Sequence, residues 1–189
     1  MALIDALLTA WNGERLLVRR DLPTNAWVLI AIHSTVLGPA AGGTRMKSYP
    51  HLDAAIEDVL RLSEGMTYKF AAPGLPFGGA KAVLMVPPDL DPSARQGLLR
   101  RYGSMIADLA GTFLTGPDVG TSPSDMNLIA ETGAPHVFCR TPEAGGAGDP
   151  GPYTALGVLV AIEAACERLS LELGDARILV QGAGDVGGP

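Results

Sequence analysis

Close to the end of the chain, the apolar run Arg177-Ile-Leu-Val-Gln181 leads without a break into Gly182-Ala-Gly184-Asp-Val-Gly187. The run predicts a β-strand, and three glycines at these intervals after a strand predict a turn that lets backbone approach a phosphate. Gly182 suits the tight turn, Gly184 leaves room for a pyrophosphate, and Gly187 lets a following helix pack closely on the strand. That helix would aim its N-terminal amides at the phosphate. The residues thus predict the start of a Rossmann dinucleotide-binding domain; a glycine-rich, frayed terminus is the other reading they permit. The chain stops at Pro189. On this reading the sequence up to Pro189 does not reach the helix, or the acidic residue expected about 20 positions on to hold a ribose.

Upstream, apolar periodicity alternates between helix and strand. Leu3, Ile4, Leu7, Leu8 and Trp11 have helical spacing within residues 2–11. Residues 15–20 and 26–36 read as strands, the second nearly all apolar, as befits a strand covered on both faces. A glycine- and proline-rich loop is expected over 38–50, followed by a helix over 52–70 that turns Asp53, Glu57, Asp58, Arg61 and Glu64 mostly to solvent. A rigid turn then leads into a strand over 82–86. Asp91 and Pro92 open a helix to about residue 109, and residues 112–115 suit a short strand. Ser122-Pro-Ser-Asp125 has the form of a capped helix start, and residues 153–169 predict a further helix. This order argues for an α/β fold: helices on a mixed sheet over 1–150, then over 151–189 a linker helix and the opening strand and turn of an incomplete nucleotide domain.

Composition narrows the function. At 47 % hydrophobic and 18 % charged residues, the chain has the makings of a core and is no disordered tail. The net charge is -6 with no basic stripe, which disfavours nucleic acid as a partner. Cys139 and Cys166 form neither a disulfide framework nor a zinc pattern, and His33, His51 and His136 are scattered, so no metal is expected. With no signal-peptide pattern and no apolar run of about 18 residues, a cytoplasmic protein without a membrane partner is expected.

Lysine is scarce: Lys47, Lys69 and Lys81 stand against eleven arginines. Lys81 enters an apolar strand beside Gly78 and Gly79, where desolvation would lower its pKa toward the range of a usable acid or base. A structural role is the equal alternative. Lys69 closes a helix and there also complements the helix dipole on a solvated face. Asp118, in Thr-Gly-Pro-Asp-Val-Gly, reads first as a turn residue.

Five ordered blocks change the weight of these readings: GPAAGGTRM, GMTYKFAAPGLPFGGAK, TGPDVGTSPSDM, GGAGDPGPYTALGV and ILVQGAGDVGG. Together, from about Gly38 to Gly188, they resemble the glutamate/leucine/phenylalanine/valine dehydrogenase family. The resemblance implies an NAD-dependent, oligomeric enzyme that converts an L-amino acid and water to a 2-oxo acid and ammonia. It implies that Lys69 grips the substrate α-carboxylate, that Lys81 is the catalytic lysine and that Asp118 carries protons to and from the amino nitrogen. Gly42 and Gly43 would line the substrate pocket, Thr154 would contact the nicotinamide amide, and Gly182, Gly184 and Gly187 would hold the dinucleotide. Ala41 stands where glutamate-specific relatives typically carry a lysine, so an apolar substrate is expected, phenylalanine ahead of valine and leucine. A buried second carboxylate would be left unpaired there. Two residues depart from the family pattern: Phe70 follows Lys69, and Ala80 replaces a glycine before Lys81. The competing expectation is a free-standing, non-catalytic domain of the same fold that binds an amino acid or assembles with a relative.

Overall fold

The computed structural model describes residues 2–189, with side chains described from Asp5 onward; Met1 and the expected core positions Leu3 and Ile4 lie outside the described residues or side chains. Two compact units result, Met1–Gly148 and Asp149–Pro189.

The first unit is built on a five-stranded sheet. β1 (Arg15–Asp21), β2 (Ala26–Ser34), β3 (Ala40–Lys47), β4 (Gly78–Met85) and β5 (Phe113–Pro117) take the spatial order β1-β2-β4-β3-β5. β1 pairs with β2, and β2 with β4, antiparallel; β3 pairs parallel with β4 and with β5. Parallel pairs need crossovers, and helices supply them: α2 (Leu52–Ala71) links β3 to its neighbour β4, and α3 (Pro92–Asp108) carries the chain from β4 past β3 to β5.

The period-2 alternation of β2 and β4 divides the core between the two faces. Leu29, Ala31 and Val83 meet Ala55, Ile56, Val59 and Leu60 of α2 on one face, with Trp11 from α1 (Ala2–Trp11). Val28, Ile30, Ile32, Ala82 and Leu84 meet Leu98, Leu99, Tyr102 and Ile106 of α3 on the other. Met126 and Ile129 of α4 (Pro123–Gly133) complete that second layer. β2 and β4 are thus covered on both faces, as their unbroken apolar runs require.

Caps end the helices where the sequence places them. Asp91 accepts from the backbone amides of Ser93 and Ala94. Ser122 and Asp125 form a reciprocal capping box at the start of α4. Ser122→Ala is expected to lower unfolding free energy by about 1 kcal/mol, read as a fall in the urea midpoint at constant m-value; an unchanged midpoint would show the cap to be dispensable.

Two expectations over the first unit need correction. Residues 40–47 are a strand, not loop, and β4 begins at Gly78, four residues before the expected start. Glycine is depleted in strands because it packs poorly, so Gly42, Gly43, Gly78 and Gly79 hide a ladder that backbone pairing alone sustains.

In the second unit, α5 (Gly151–Arg168) forms near its expected limits. The strand expected over 177–181 does not form, because a strand needs a hydrogen-bonded neighbour and none pairs with it among the described residues. Leu179 stands 93 % exposed in consequence.

Candidate active site

β3 lies between β4 and β5, with Ala41 beside Gly79, Thr44 beside Ala82 and Gly43 beside Gly116. Alternation turns Thr44 and Met46 into the α3 layer, where the Thr44 hydroxyl lies 2.7 Å from both Tyr102 and Thr115. Ala41, Gly43 and Arg45 therefore face the α2 side. Lys81 of β4 faces that side too, between Gly79 and Val83. Ala80, its neighbour, points the opposite way into the second core layer, so its methyl does not intrude on Lys81. Phe70 packs against Phe77, ring centroids 5.7 Å apart.

The glycines let neighbouring groups approach the sheet closely. A Cβ on Gly43 would lie 2.9 Å from Asp118 Cβ and 3.3 Å from Lys81 Nζ, so any larger residue would press on both groups. A Cβ on Gly79 would meet Thr67 of α2 at 2.1 Å, which lets the end of α2 that carries Lys69 approach the sheet. Ala41 is 4 % exposed and adds only a methyl.

Against Gly43 comes Asp118, the residue after β5. Its backbone N–H donates to Thr121 Oγ1 at 3.0 Å, and that hydroxyl donates to the Thr44 carbonyl at 2.7 Å, tying the loop to β3. The Lys81 ammonium lies 3.1 Å from Asp118 Oδ2. Arg45 Nε donates to the same oxygen at 2.9 Å, while its Nη1 reaches Asp58 Oδ2 at 2.8 Å. Asp58 also accepts from the Tyr49 hydroxyl at 2.7 Å and from Arg61 at 2.8 Å.

Burial pushes the Lys81 ammonium below the ordinary lysine range; Asp118 opposes the fall, and the charges of Arg45 and Lys69 add to it. Burial alone would raise the Asp118 carboxyl, but Lys81 and Arg45 overcome that and hold it below its ordinary value. Lys69, at the end of α2, is exposed and has no ion-pair partner among the described residues. Of the expected site residues, Gly43, Lys81 and Asp118 thus meet, Ala41 lies on the same face of β3, and Lys69 is close enough to act on Lys81. Gly42 faces away, its absent side chain making room for the Ala80 carbonyl of the neighbouring strand.

The second unit carries the remaining expected residues. The Thr154 hydroxyl donates to the Pro150 carbonyl at 2.8 Å in the first turn of α5. Gly182 has φ +91, and a Cβ on Gly187 would strike the Gly182 carbonyl at 2.1 Å, so the turn folds on itself in a way only glycine allows. A Cβ on Gly184 would meet open space. The Gly184 backbone is thus open to close approach by a ligand group.

Arg45, Tyr49 and Asp58 were not legible as site residues. Arg45 fell in the presumed loop, and Asp58 was expected on the solvated face of its helix, yet its side chain is only 14 % exposed. The available signal was the Gly43-x-Arg45 spacing, which puts both on one face once 40–47 is a strand.

The paired carboxylates set an acid limit on stability. An Arg101 hydrogen bond lowers Asp21, and Asp58, Asp118 and Asp125 are held low against the effect of burial by hydrogen bonds and neighbouring cations. Each titrates lower folded than unfolded, so its stabilisation is complete above the unfolded value of 3.8 and fades as pH falls through the folded one. Urea midpoints are expected to be level above that pH and to drop steeply below it; a midpoint that holds under acid would contradict the pairing.

Residues 24–134 match a family model described as Glu/Leu/Phe/Val dehydrogenase, dimerisation domain. A leucine dehydrogenase of Bacillus cereus is 42 % identical over 181 residues, covering 95 % of this chain and 49 % of that protein. A phenylalanine dehydrogenase of Lysinibacillus sphaericus is 42 % identical over 178 residues, covering 93 % of this chain and 46 % of that protein. The crystal structure of L-tryptophan dehydrogenase from Nostoc punctiforme superposes with a TM-score of 0.72 at 36 % identity, over 98 % of this chain and 51 % of that one. The chain spans about half the length of the relatives it matches. No helix among the described residues is long and apolar enough to cross a membrane.

Proposed function

We propose, for a chain that belongs to the Glu/Leu/Phe/Val dehydrogenase family, that residues 1–150 form the substrate-binding and subunit-pairing part of an NAD-dependent L-amino-acid dehydrogenase and that 151–189 open its nucleotide-binding part. The observation that carries this reading is the Lys81–Asp118 pair at 3.1 Å, its lysine buried, with Lys69 acting on Lys81 and without an ion-pair partner among the described residues. Lys81 and Asp118 balance one another, so Lys69 leaves one positive charge for a carboxylate. It grips the substrate α-carboxylate by a charge-assisted hydrogen bond.

The reaction is oxidative deamination to a 2-oxo acid and ammonia. NAD, when bound, supplies the hydride acceptor; Gly182, Gly184 and Gly187 would hold its pyrophosphate and Thr154 the nicotinamide amide. Asp118, held ionised, takes a proton from the amino nitrogen at the start and returns one to the departing ammonia. Lys81, its proton loosened by burial, takes the proton that water releases as it adds to the imine carbon, and its ammonium then hydrogen-bonds the new oxygen. Ala41 offers no cation for a second carboxylate, which supports an apolar side chain: phenylalanine first, then valine or leucine. Homo-oligomerisation is supported by the family model's description and by β1, whose outer edge pairs with no strand among the described residues. A cytoplasmic setting is proposed from the same reading.

The test is turnover of phenylalanine, valine, leucine and glutamate with NAD⁺ by the protein as its source makes it, together with its intact mass. Apolar substrates are expected to outrun glutamate. A large preference for glutamate would overturn the substrate assignment. A native mass near 19.6 kDa with amino-acid binding but no turnover would instead favour a free-standing binding domain.

A further inference from the structure

The geometry around Asp118 leaves one of its oxygens without a hydrogen-bond partner. Lys81 and Arg45 both converge on Oδ2, and among the described residues Oδ1 makes no hydrogen bond. We propose that Arg45, anchored by Asp58, is a positioning residue that fixes Asp118 by Oδ2 and keeps it ionised without help from Lys81, so that Oδ1 is the atom that exchanges protons with the substrate. The inference rests on the reading of Asp118 as the proton carrier.

The need for such a residue follows from the work asked of Lys81. Once its ammonium turns to the substrate oxygen, the 3.1 Å contact with Asp118 is lost. A half-buried aspartate left alone would swing toward solvent and bind a proton too tightly to release it. Arg45 prevents both. Its guanidinium is planar and always charged, and its Nε and Nη1 reach Asp118 and Asp58 from one rigid group. A lysine has no such fork. Asp58 is itself fixed by Tyr49, in the loop after β3, and by Arg61 from the next turn of α2. The charged and titratable groups around Asp118 are then Lys81 on β4, Arg45 on β3, Asp58 beyond Arg45 on α2, and Lys69, which acts through Lys81.

The deciding measurement is the carboxyl titration of Asp118 by carbon-detected NMR on the folded chain. In Lys81→Met the carboxyl is expected to stay ionised at neutral pH. In Arg45→Gln its midpoint is expected to rise by about one unit or more. In Arg45→Lys the charge remains and the midpoint falls back, though the link to Asp58 does not. Asp58→Asn, the variant less exposed to misfolding, is expected to speed exchange of the Arg45 Nε proton by about tenfold. In the enzyme with its nucleotide-binding portion, Arg45→Gln is expected to lower kcat by about 10²-fold with KM little changed, and to move the acid limb of the kcat profile upward with the titration. A folded Arg45→Gln chain with an unmoved Asp118 midpoint overturns the proposal, as does a moved midpoint with full kcat. If the wild-type enzyme turns over no amino acid, the proposed function fails, and the titration still decides whether Arg45 holds Asp118.

Discussion

Replacing Lys81 by alanine is expected to lower kcat for L-amino-acid oxidation by about 10³-fold, or about 4 kcal/mol of transition-state stabilisation. The loss should fall on kcat. Substrate binding is assigned to Lys69 on α2, which the change does not touch, so KM should move little. Lys81→Arg should not rescue, because a guanidinium cannot give up its proton in a protein. The fold should persist, since Arg45 still compensates Asp118. Steady-state kinetics beside a urea titration of each variant separate the two effects. Turnover within a few fold of wild type would remove Lys81 from the chemistry.

The largest effect on stability is expected from Gly42→Ala. Its methyl would lie 1.7 Å from the Ala80 carbonyl oxygen, in the backbone of the adjoining strand. Neither partner is a side chain that can rotate away, so β3 and β4 must part or shift register. The cost is expected at about 3 kcal/mol or more, the upper end for an overpacked interior. Gly65→Ala is the matched control. It lies inside α2 and a Cβ there meets nothing within 4 Å. That change should raise stability by about 0.5–1 kcal/mol through lower backbone entropy in the unfolded chain. Urea midpoints moving in opposite directions would confirm both accounts; a neutral Gly42→Ala would mean that β3 sits farther from β4 than the structure has it.

What was legible in the sequence follows from what leaves a side-chain signature. α2, α3 and α4 announce themselves by apolar spacing and by caps at Asp91 and Ser122. β2 does so by its unbroken apolar run. β3 does not, because the residues that make it useful, Gly42 and Gly43, carry no signal of a strand. Lys81 stood out through its scarcity and its apolar setting, and Asp118 only through the resemblance of several blocks at once. Arg45 and Asp58 escaped notice because their significance is tertiary: it depends on strand alternation in a segment not recognised as a strand, and on a helix face that is polar yet half-buried. The segment 177–181 shows the converse. Its side chains say strand, but a ladder is a property of two segments, and only one is described.

The central place of β3 bears on how the protein is made. Residues 40–47 leave the ribosome before either of the strands they pair with. Until residue 85 has emerged the parallel ladder with β4 has no second half, and until residue 117 has emerged β3 keeps one side bare. A glycine-rich segment with few side chains to pack gains little from early collapse, so it waits while β2 and α2, which carry their own apolar faces, become compact. Parallel pairing over such separations is slow to nucleate. The pairing of Lys81 with Asp118 is accordingly a late product of synthesis, made only when the fifth strand docks. A nascent chain paused between the fourth and fifth strands would hold most of its apolar core, with Lys69 and Lys81 in place but Asp118 absent.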